Sequence, residues 1–395
     1  MITIRDTLAG EPIAFHYANT REDWRAVLAW TRKRHGRILA MDTESTGINC
    51  YKPGWELRTF QFGNGRQSFI VPARAKNLIR LIFTECDIKW IGHNAPHDVR
   101  CIDTHLGYET GIVCPWETYI PAHHADSRKQ DEGGTGHGLK ELATAHVDPD
   151  AGKWERLLKA RFKTIRIPME GEVYKSGPRK GTQKFRRAKL SEGWGLIDPT
   201  DPIYLAYAGA DPILTYRLRA YYRMVYRQFR SLYDFDHRVA LACDRLQRRA
   251  IKLDVDYTQR YQAALEAKAA RLCGVILNEF NCRNIYSAAQ IADTLQLLGA
   301  QLRERTPKGQ YKTDDRVMQW QLENGSSEVQ RFVRAVLAAK RLTKRADAYA
   351  DAMLRERDAQ DRVHPSINSL AARTARMSIS GPALQQLPTK DNEEE

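Results

Sequence analysis

The stretch Ile38-Leu39-Ala40-Met41-Asp42-Thr43-Glu44 sets the organisation of the first half of this 395-residue chain. Its apolar residues are typical of a buried strand, and two acids follow them directly. Because side chains alternate along a strand, Asp42 and Glu44 are expected on one face, where both can reach the same ion. A D-x-E pair at a strand end is more often a turn or a helix cap. The pair therefore needs support from elsewhere in the chain.

Two further acidic segments supply that support. Asn94-Ala95-Pro96-His97-Asp98 follows the apolar Trp90-Ile91-Gly92, and Tyr207-Ala208-Gly209-Ala210-Asp211 lies on a predicted helix. The spacing of Tyr207 and Asp211 places the phenol and the carboxylate one turn apart on one helix face. Each segment has an ordinary alternative: the first could be a helix cap with an acidic first turn, and the tyrosine could be a core residue.

Together the three segments predict a metal site. Cleavage of a phosphodiester suits two divalent cations, about 3.5–4 Å apart, that clamp the attacking and leaving oxygens. Mg²⁺ and Mn²⁺ prefer oxygen ligands, and carboxylates supply them. We therefore predict two divalent cations, Mg²⁺ or Mn²⁺, bound by the acids of the three segments: Asp42, Glu44, Asp98 and Asp211.

The order D-x-E, N-x-x-x-D, Y-x-x-x-D resembles the exonuclease motifs of the DEDD superfamily, in its tyrosine subclass. The resemblance implies that Asp42 bridges the two metals and that Tyr207 orients the attacking water. It implies one catalytic set, which consists of Asp42, Glu44, Asp98, Tyr207 and Asp211. Gly138-Leu139-Lys140-Glu141-Leu142-Ala143 is similar to the helix that leads towards the third motif.

Later segments resemble the family A DNA polymerases (the DNA polymerase I family) of bacteria and phages. Residues 244–255 are similar to the segment that opens the polymerase part, and residues 284–291 resemble a segment of the thumb. Residues 374–388 are similar to T-G-R-L-S-S-x-x-P-N-L-Q-N-I-P and depart from it at Ala375, Ile379, Ala383 and Gln386. The resemblance covers residues from about 35 to 390 and is closest to phage-encoded members.

These resemblances predict two domains. Residues 1–235 are expected to form a 3′→5′ exonuclease domain with an α/β ribonuclease-H-like fold, a mixed sheet flanked by helices. A hairpin signal at Gly63-Asn64-Gly65, a helix over 78–83 and a strand over 89–92 agree with such a sheet. Residues 236–395 are expected to form the mainly α-helical thumb and N-terminal part of a polymerase domain, with one long helix from Glu328 to about Arg357.

The function expected from the resemblance is proofreading 3′→5′ DNA exonuclease activity in DNA replication. The palm and fingers motifs of the family come later than these segments, so we expect no polymerase activity from this chain alone. DNA is the expected partner, as a single-stranded 3′ end and as a primer–template duplex, and a separate polypeptide with the palm and fingers is a candidate partner. The residues expected to contact DNA are Thr43, Asn94, Lys340, Arg341, Lys344, Arg376 and Gln385.

Two alternatives remain open. An RNase D-like RNA exonuclease would carry the same site residues, although the polymerase-like segments after residue 244 argue against it. The other alternative is a non-catalytic module that binds DNA or assembles with a separate polymerase fragment.

Composition agrees with a nucleic-acid enzyme of the cytoplasm, which would be the host cytoplasm for a phage protein. The 62 Lys and Arg against 48 Asp and Glu give a net charge of +14, which favours a polyanionic partner. The 7 cysteines form no C-x-x-C pair, which indicates reduced thiols. No stretch resembles a signal peptide or a membrane span, so no membrane contact is expected.

A basic insertion over residues 151–195 carries 13 Lys and Arg against 4 Glu. It could be a solvated loop, or it could guide single-stranded DNA electrostatically. In the second case its aromatic residues would be available to stack on bases: Trp154, Phe162, Tyr174 and Phe185.

Overall fold

The computed structural model describes residues 1–114 and 116–387. It divides into two compact units, one of residues 1–249 and 367–378, the other of residues 250–366 with the segment that begins at residue 379. The boundary between the units differs from the one predicted at residue 235. Helix α10, Arg230–Arg249, spans that position without a break, and the first unit continues to its end.

The first unit is built on a seven-stranded mixed sheet in the order β1-β2-β5-β4-β3-β6-β7. Strand β3 lies between antiparallel β4 and parallel β6. Strands β1 and β2 are antiparallel, as are β4 and β5, whereas β2 pairs with β5 and β6 with β7 in parallel. The strands are β1 Ile2–Leu8, β2 Glu11–Tyr17, β3 Ile38–Ser45, β4 Leu57–Gly63, β5 Gln67–Pro72, β6 Lys89–Gly92 and β7 Trp116–Glu117.

The predicted mixed sheet with flanking helices is confirmed. The Gly63-Asn64-Gly65 turn joins β4 to β5, β6 spans the predicted residues, and the helix expected over 78–83 extends over Lys76–Glu85. The hairpin β1–β2 was not predicted. Strand β1 lies at the sheet edge and only Leu8 in it is buried, so it lacks the apolar run that marks a central strand.

Helices cover both faces of the sheet. One core cluster joins Phe60, Phe62 and Trp90 to α1, α2 and α3 on one face. The other cluster includes Trp154, Tyr204 and Ile213 and lies under α4, α5, α6 and α8. The helices of the first unit are α1 Arg21–Arg32, α2 Lys76–Glu85, α3 Ala95–Leu106, α4 Tyr119–Ala125, α5 Leu139–His146, α6 Lys153–Phe162, α7 Leu190–Leu196, α8 Pro202–Tyr221, α9 Arg223–Gln228 and α10 Arg230–Arg249.

The basic insertion is more than a solvated loop, because it contains regular secondary structure. Helices α6 and α7 enclose an antiparallel hairpin, which consists of β8 Arg166–Val173 and β9 Gln183–Arg187. The prediction that Trp154 and Phe162 are available for base stacking is wrong, because each is 2% exposed in the core. Both lie on the apolar face of α6, and that face packs into the core cluster between the sheet and the helices α5 and α8.

The second unit is mainly helical, as predicted, and packs around Phe280, Phe332 and Val336. The predicted long helix is confirmed, because helical residues run without a break from Ser327 to Glu356. Within it, α14 ends at Lys344 and a π-helical segment, Arg345–Asp351, leads into the last turn. The elements of the second unit are β10 Ile251–Lys252, α11 Val255–Phe280, α12 Ala288–Leu297, α13 Asp315–Asn324, α14 Ser327–Lys344, α15 Ala352–Glu356 and β11 Arg362–Val363. Two short strands, β12 Ser366–Asn368 and β13 Ser378–Ser380, follow in the chain.

All seven cysteines are free, in agreement with the expectation of reduced thiols. Among the helices that the structure describes, none combines the length and the apolar character that crossing a membrane requires.

Helix α8 approaches the sheet closely at Gly209. The Ser68 hydroxyl donates to the Gly209 carbonyl over 2.6 Å, and a Cβ at residue 209 would lie 2.7 Å from the Phe15 side chain. A larger residue would therefore push the helix away from the sheet. Since Gly209 stands between Tyr207 and Asp211, its small size also sets the position of the third motif.

We expect Gly209→Ala to destabilise the first unit by about 1–3 kcal/mol, because the added methyl overpacks the contact with Phe15. Chemical denaturation followed by fluorescence measures the loss. The control is Gly195→Ala on α7, where a Cβ would meet its nearest atom, on Thr46, at 3.9 Å. An equal loss of stability in both variants would contradict the close approach.

Candidate functional site

Three of the four predicted metal ligands meet at the end of β3. Asp42 and Glu44 share with Ala40 the face of β3 that packs under α8, and Asp211 lies on that helix. Ligand oxygens of Asp42, Glu44 and Asp211 lie within 4.8 Å of one another. This acidic cluster could hold a metal ion.

Asp98 reaches the same strand from its other face. It lies in the first turn of α3, it is 4% exposed, and its Oδ1 accepts a hydrogen bond from Thr43 Oγ1 over 2.6 Å. Thr43 alternates with Asp42 and Glu44 along β3, so it points away from α8. The structure thus places Asp98 beside the cluster rather than among the three carboxylates that share one position.

Burial dominates the electrostatics of these acids. It raises the pKa of Asp42 to about 6, and it raises the pKa values of Glu44 and Asp98 well above their usual range. The Asp42 carboxylate adds to the last two shifts through like-charge repulsion. An all-oxygen donor set with excess buried negative charge fits a hard divalent cation.

Lys140 of α5 supplies the positive charge that the described residues place in the cluster. Its ammonium forms an ion pair with Asp211 Oδ1, and its Nζ lies 4.4 Å from the centre of the Tyr207 ring. Burial lowers the pKa of Lys140 to about 8, whereas the charges of Asp42 and Glu44 act in the opposite direction. The resemblance pointed to this helix without a role for Lys140.

Gln61 of β4 is a second residue that the sequence analysis missed. It stands opposite Asp42 in the strand register, and its Nε2 donates to Asp42 Oδ2 over 2.7 Å and to Glu44 Oε1 over 3.5 Å. Its Oε1 is buried and has no hydrogen-bond partner among the residues described. Gln61 is linked to Asp42 only by the register of β3 and β4, because no sequence motif connects two residues at this separation.

Glu117 of β7 holds the start of α3. Its carboxylate accepts the backbone N–H groups of Asn94 and Ala95 over 2.6 and 2.8 Å. Asn94 occupies the N-cap position with a φ of 62°, and its own side chain makes no capping bond. The cap therefore comes from Glu117, which is 2% exposed and which sequence reasoning did not connect with this helix.

Tyr207 lies one helical turn before Asp211, on the side of α8 that faces the cluster. Its ring packs against Trp194 of α7, with 5.5 Å between the centres. Burial raises the pKa of Tyr207 well above its usual range, so the phenol keeps its proton at neutral pH. It can therefore donate a hydrogen bond to a neighbouring oxygen.

The other residues predicted to contact DNA are distributed over both units. In the second unit, Lys340 is half-buried on α14, whereas Arg341 and Lys344 are exposed on the same helix. Arg376 is exposed in the first unit. Gln385 is exposed in the second unit, where its Oε1 accepts from the Ile379 N–H over 3.2 Å. Pro388, the last residue of the predicted motif, lies outside the described residues.

The chain matches two family models. Residues 22–223 match the model described as 3′-5′ exonuclease, and residues 255–395 match the model described as DNA polymerase family A. The first match covers strand β3 and helix α8, which carry the acidic cluster. The chain belongs to the 3′-5′ exonuclease family. The resemblance to phage family A DNA polymerases is confirmed by the same matches together with the relatives below.

Two similar proteins are phage DNA polymerases. The chain is 27% identical to the DNA polymerase of Mycobacterium phage L5 and 28% identical to that of Mycobacterium phage D29. Each comparison covers 99% of this chain and 62% of the relative, so the chain spans less than two thirds of these proteins. This chain thus carries the 3′-5′ exonuclease domain and part of the polymerase region of such a protein.

A solved structure shares the fold. The POL domain of Pol1 from M. smegmatis, in complex with DNA primer-template and dNTP, matches with a TM-score of 0.61 at 13% identity. The match covers 95% of this chain and 56% of that domain.

Removal of the Lys140 charge should destabilise the protein chiefly when no metal is present. In EDTA, Lys140→Met leaves buried carboxylates without their cation, so we expect the free energy of unfolding to fall by about 3 kcal/mol. Added Mn²⁺ should recover most of this loss, because it supplies positive charge to the same acids. Thermal unfolding with and without Mn²⁺ measures both effects.

The matched control is Lys159→Met on α6, whose ammonium makes an exposed ion pair with Glu155. This variant should unfold like the parent in both conditions, since exposed pairs contribute little. If Lys140→Met lost the same stability with and without Mn²⁺, its charge would not be matched to the acidic cluster.

Proposed function

We propose that the first unit is a metal-dependent 3′→5′ DNA exonuclease that releases mononucleotides and proofreads for a family A polymerase. The observation that carries the proposal is the meeting of Asp42, Glu44 and Asp211 within 4.8 Å, in a chain of the 3′-5′ exonuclease family. A group of three carboxylates, two of them buried, is unfavourable for a purely structural site, because their repulsion opposes folding. The same group is well suited to bind cations.

The four acids would bind two cations. Asp42, Glu44 and Asp211 would hold one Mg²⁺ or Mn²⁺, and Asp98 with Asp42 would hold the second. When bound, such cations lower the pKa of a bound water and stabilise the charge that develops on the phosphate. Glu117 keeps the start of α3 in place, and thereby positions Asp98. Gln61 holds Asp42 and Glu44 in their orientations on β3.

Tyr207 would orient the attacking water. Its phenol stays protonated and stands on the same helix face as Asp211, so a hydrogen bond from its hydroxyl can fix the position of a water beside that carboxylate. Trp194 restricts the ring from the other side. Lys140 lies close to Asp211 and to Tyr207, and it would stabilise negative charge near the cluster.

DNA is the proposed substrate because of the relatives, the structural neighbour and the charge of the chain. The phage relatives are named DNA polymerases, and the structural neighbour was solved with a DNA primer–template. The net charge of +14 favours binding to a phosphate backbone. In the second unit, the exposed cations on α14 are proposed to contact the phosphates of a primer–template duplex. A separate polypeptide that carries the palm and fingers stays a predicted partner.

The central test is hydrolysis of 3′-labelled single-stranded DNA with Mg²⁺ or Mn²⁺. Asp42→Asn and Asp211→Asn keep the side-chain volume but remove a metal-binding charge, so each should lower kcat by at least about 10³-fold. The control is Asp150→Asn, an exposed acid whose partner is Arg156. Full activity of the cluster variants, or of the parent in excess EDTA, would sink the proposal. Matched RNA strands decide whether the substrate is DNA or RNA.

Tyr207→Phe tests the role of the phenol. Loss of one oriented hydrogen bond should lower kcat by about 10²–10³-fold, while the affinity for Mn²⁺ stays near that of the parent. The ring and its contact with Trp194 are retained, so the fold should be unaffected. A variant as fast as the parent would make Tyr207 a packing residue. Metal titrations followed by kinetics separate the two effects.

A further inference from the structure

The hairpin β8–β9 has no core of its own. No residue from 163 to 192 is buried, and an isolated two-stranded hairpin is only marginally stable in water. Residues 163–189 nevertheless carry nine Lys and Arg against two Glu. A folded, basic and uncovered hairpin is suited to a polyanion that would lie across it.

The register gives the hairpin two different faces. Arg166 pairs with Arg187 and Pro168 with Phe185, and directly paired side chains lie on the same face. We call this set of four residues the outward face. All of its residues are exposed, and Phe185 is 50% exposed.

The opposite face is partly buried and its cations are paired. Ile167 and Met169 are half-buried there, Lys184 pairs with Glu172 over 3.3 Å, and Arg186 pairs with Glu192 over 2.7 Å. Of the four cations on the two strands, the two on the outward face are therefore those without an acid partner among the described residues.

Two arginines stand directly opposite each other on the outward face. Like charges at such a position destabilise a strand pair. Among the described residues, neither Arg166 nor Arg187 forms an ion pair with a carboxylate. Phosphates would neutralise both guanidinium groups, and Phe185 beside them offers an exposed ring on which a base can stack. A phosphate chain with unpaired bases fits this combination better than a duplex, whose bases are covered.

The base of the hairpin is tied to the nuclease site. The Ala188 N–H donates to the Ile165 carbonyl over 3.0 Å, and α7 follows directly in the chain. Trp194 of α7 packs against Phe162 at the end of α6 and against Tyr207 of the site, with ring centres 5.1 and 5.5 Å apart. Trp194 thus connects the base of the hairpin to Tyr207 of the site.

We propose that the outward face of the hairpin binds the single strand upstream of the 3′ terminus, with phosphates on Arg166 and Arg187 and a base on Phe185. The inference rests on the proposed function and adds a substrate-binding surface to it. The outward face carries none of the acids of the cluster, so a dinucleotide bound at the acids is not expected to need it. The surface should therefore favour long strands over a dinucleotide.

The first test removes the two unmatched charges. In Arg166→Gln/Arg187→Gln, binding of a strand of about twelve nucleotides, measured by fluorescence anisotropy in EDTA, should weaken by about tenfold or more. The slope of log affinity against log salt should become shallower by about 1.4, because two phosphate contacts to a single strand are lost. The matched control is Lys33→Gln/Arg80→Gln, which removes two exposed cations, one directly after α1 and one on α2.

The second test concerns the ring. Phe185→Ala should raise KM for the long strand by about tenfold, whereas Phe185→Trp, which keeps a stacking surface, should behave like the parent. Neither variant should change kcat or KM for a dinucleotide, and this also shows that the site is folded.

The outcomes separate the two proposals. Parent-like affinity and salt slope in the double arginine variant would overturn the hairpin surface, even if the enzyme digests DNA. An equal loss on the dinucleotide would also overturn it, since the hairpin would then act on the site itself. Strand binding through the hairpin without any hydrolysis would instead overturn the proposed function alone.

Discussion

The structure of the first unit depends on the burial of like charges at one end of β3. Asp42, Glu44 and Asp211 lie within 4.8 Å of one another, and Asp98 is held just across the strand. A charged carboxylate is less stable when it is removed from water, and burial therefore raises the pKa of Asp42 to about 6. The surrounding structure must supply hydrogen bonds and positive charge that keep the acids together.

The neighbours of the cluster supply these hydrogen bonds and this positive charge. Gln61 donates to the two acids of β3, and the Thr43 hydroxyl donates to Asp98. Lys140 brings an ammonium group to Asp211. These partners satisfy the acids only in part, since the donors are few and the pKa values stay high. This incomplete compensation is what a cation-binding site requires, because a fully neutralised cluster would have no affinity left for a metal.

Rigid supports position the cluster from outside. The small Gly209 lets α8 approach the sheet, and the hydrogen bond from Ser68 fixes the backbone there. On the other face, Glu117 caps α3 and so determines where its first turn lies. Neither residue touches the acids that bind metal in our proposal. Both act by holding the backbone of an element that carries one of them, which is how a site obtains fixed geometry from ordinary packing.

The sequence by itself determined the parts of this protein that local chemistry controls. The apolar run before Asp42, the turn Gly63-Asn64-Gly65 and the spacing of Tyr207 and Asp211 sufficed for the central strands, a hairpin and the helix of the third motif, because strand and helix periods fix which side chains share a face. The order of the motifs sufficed for the family, and the matches over residues 22–223 and 255–395 bear that out.

Only the tertiary structure decided which distant residues complete the site. Gln61, Glu117 and Lys140 come from β4, β7 and α5. Long-range pairing and packing alone bring Gln61 and Lys140 to the acids, and Glu117 to the helix that carries Asp98. The same holds for the basic insertion, where composition could not tell a buried ring from an exposed one. Trp154 entered the core and Phe185 stayed in solvent, because one lies on a helix packed under the sheet and the other on a hairpin that packs against no core. Burial is a property of what packs against a residue, and no local pattern contains it.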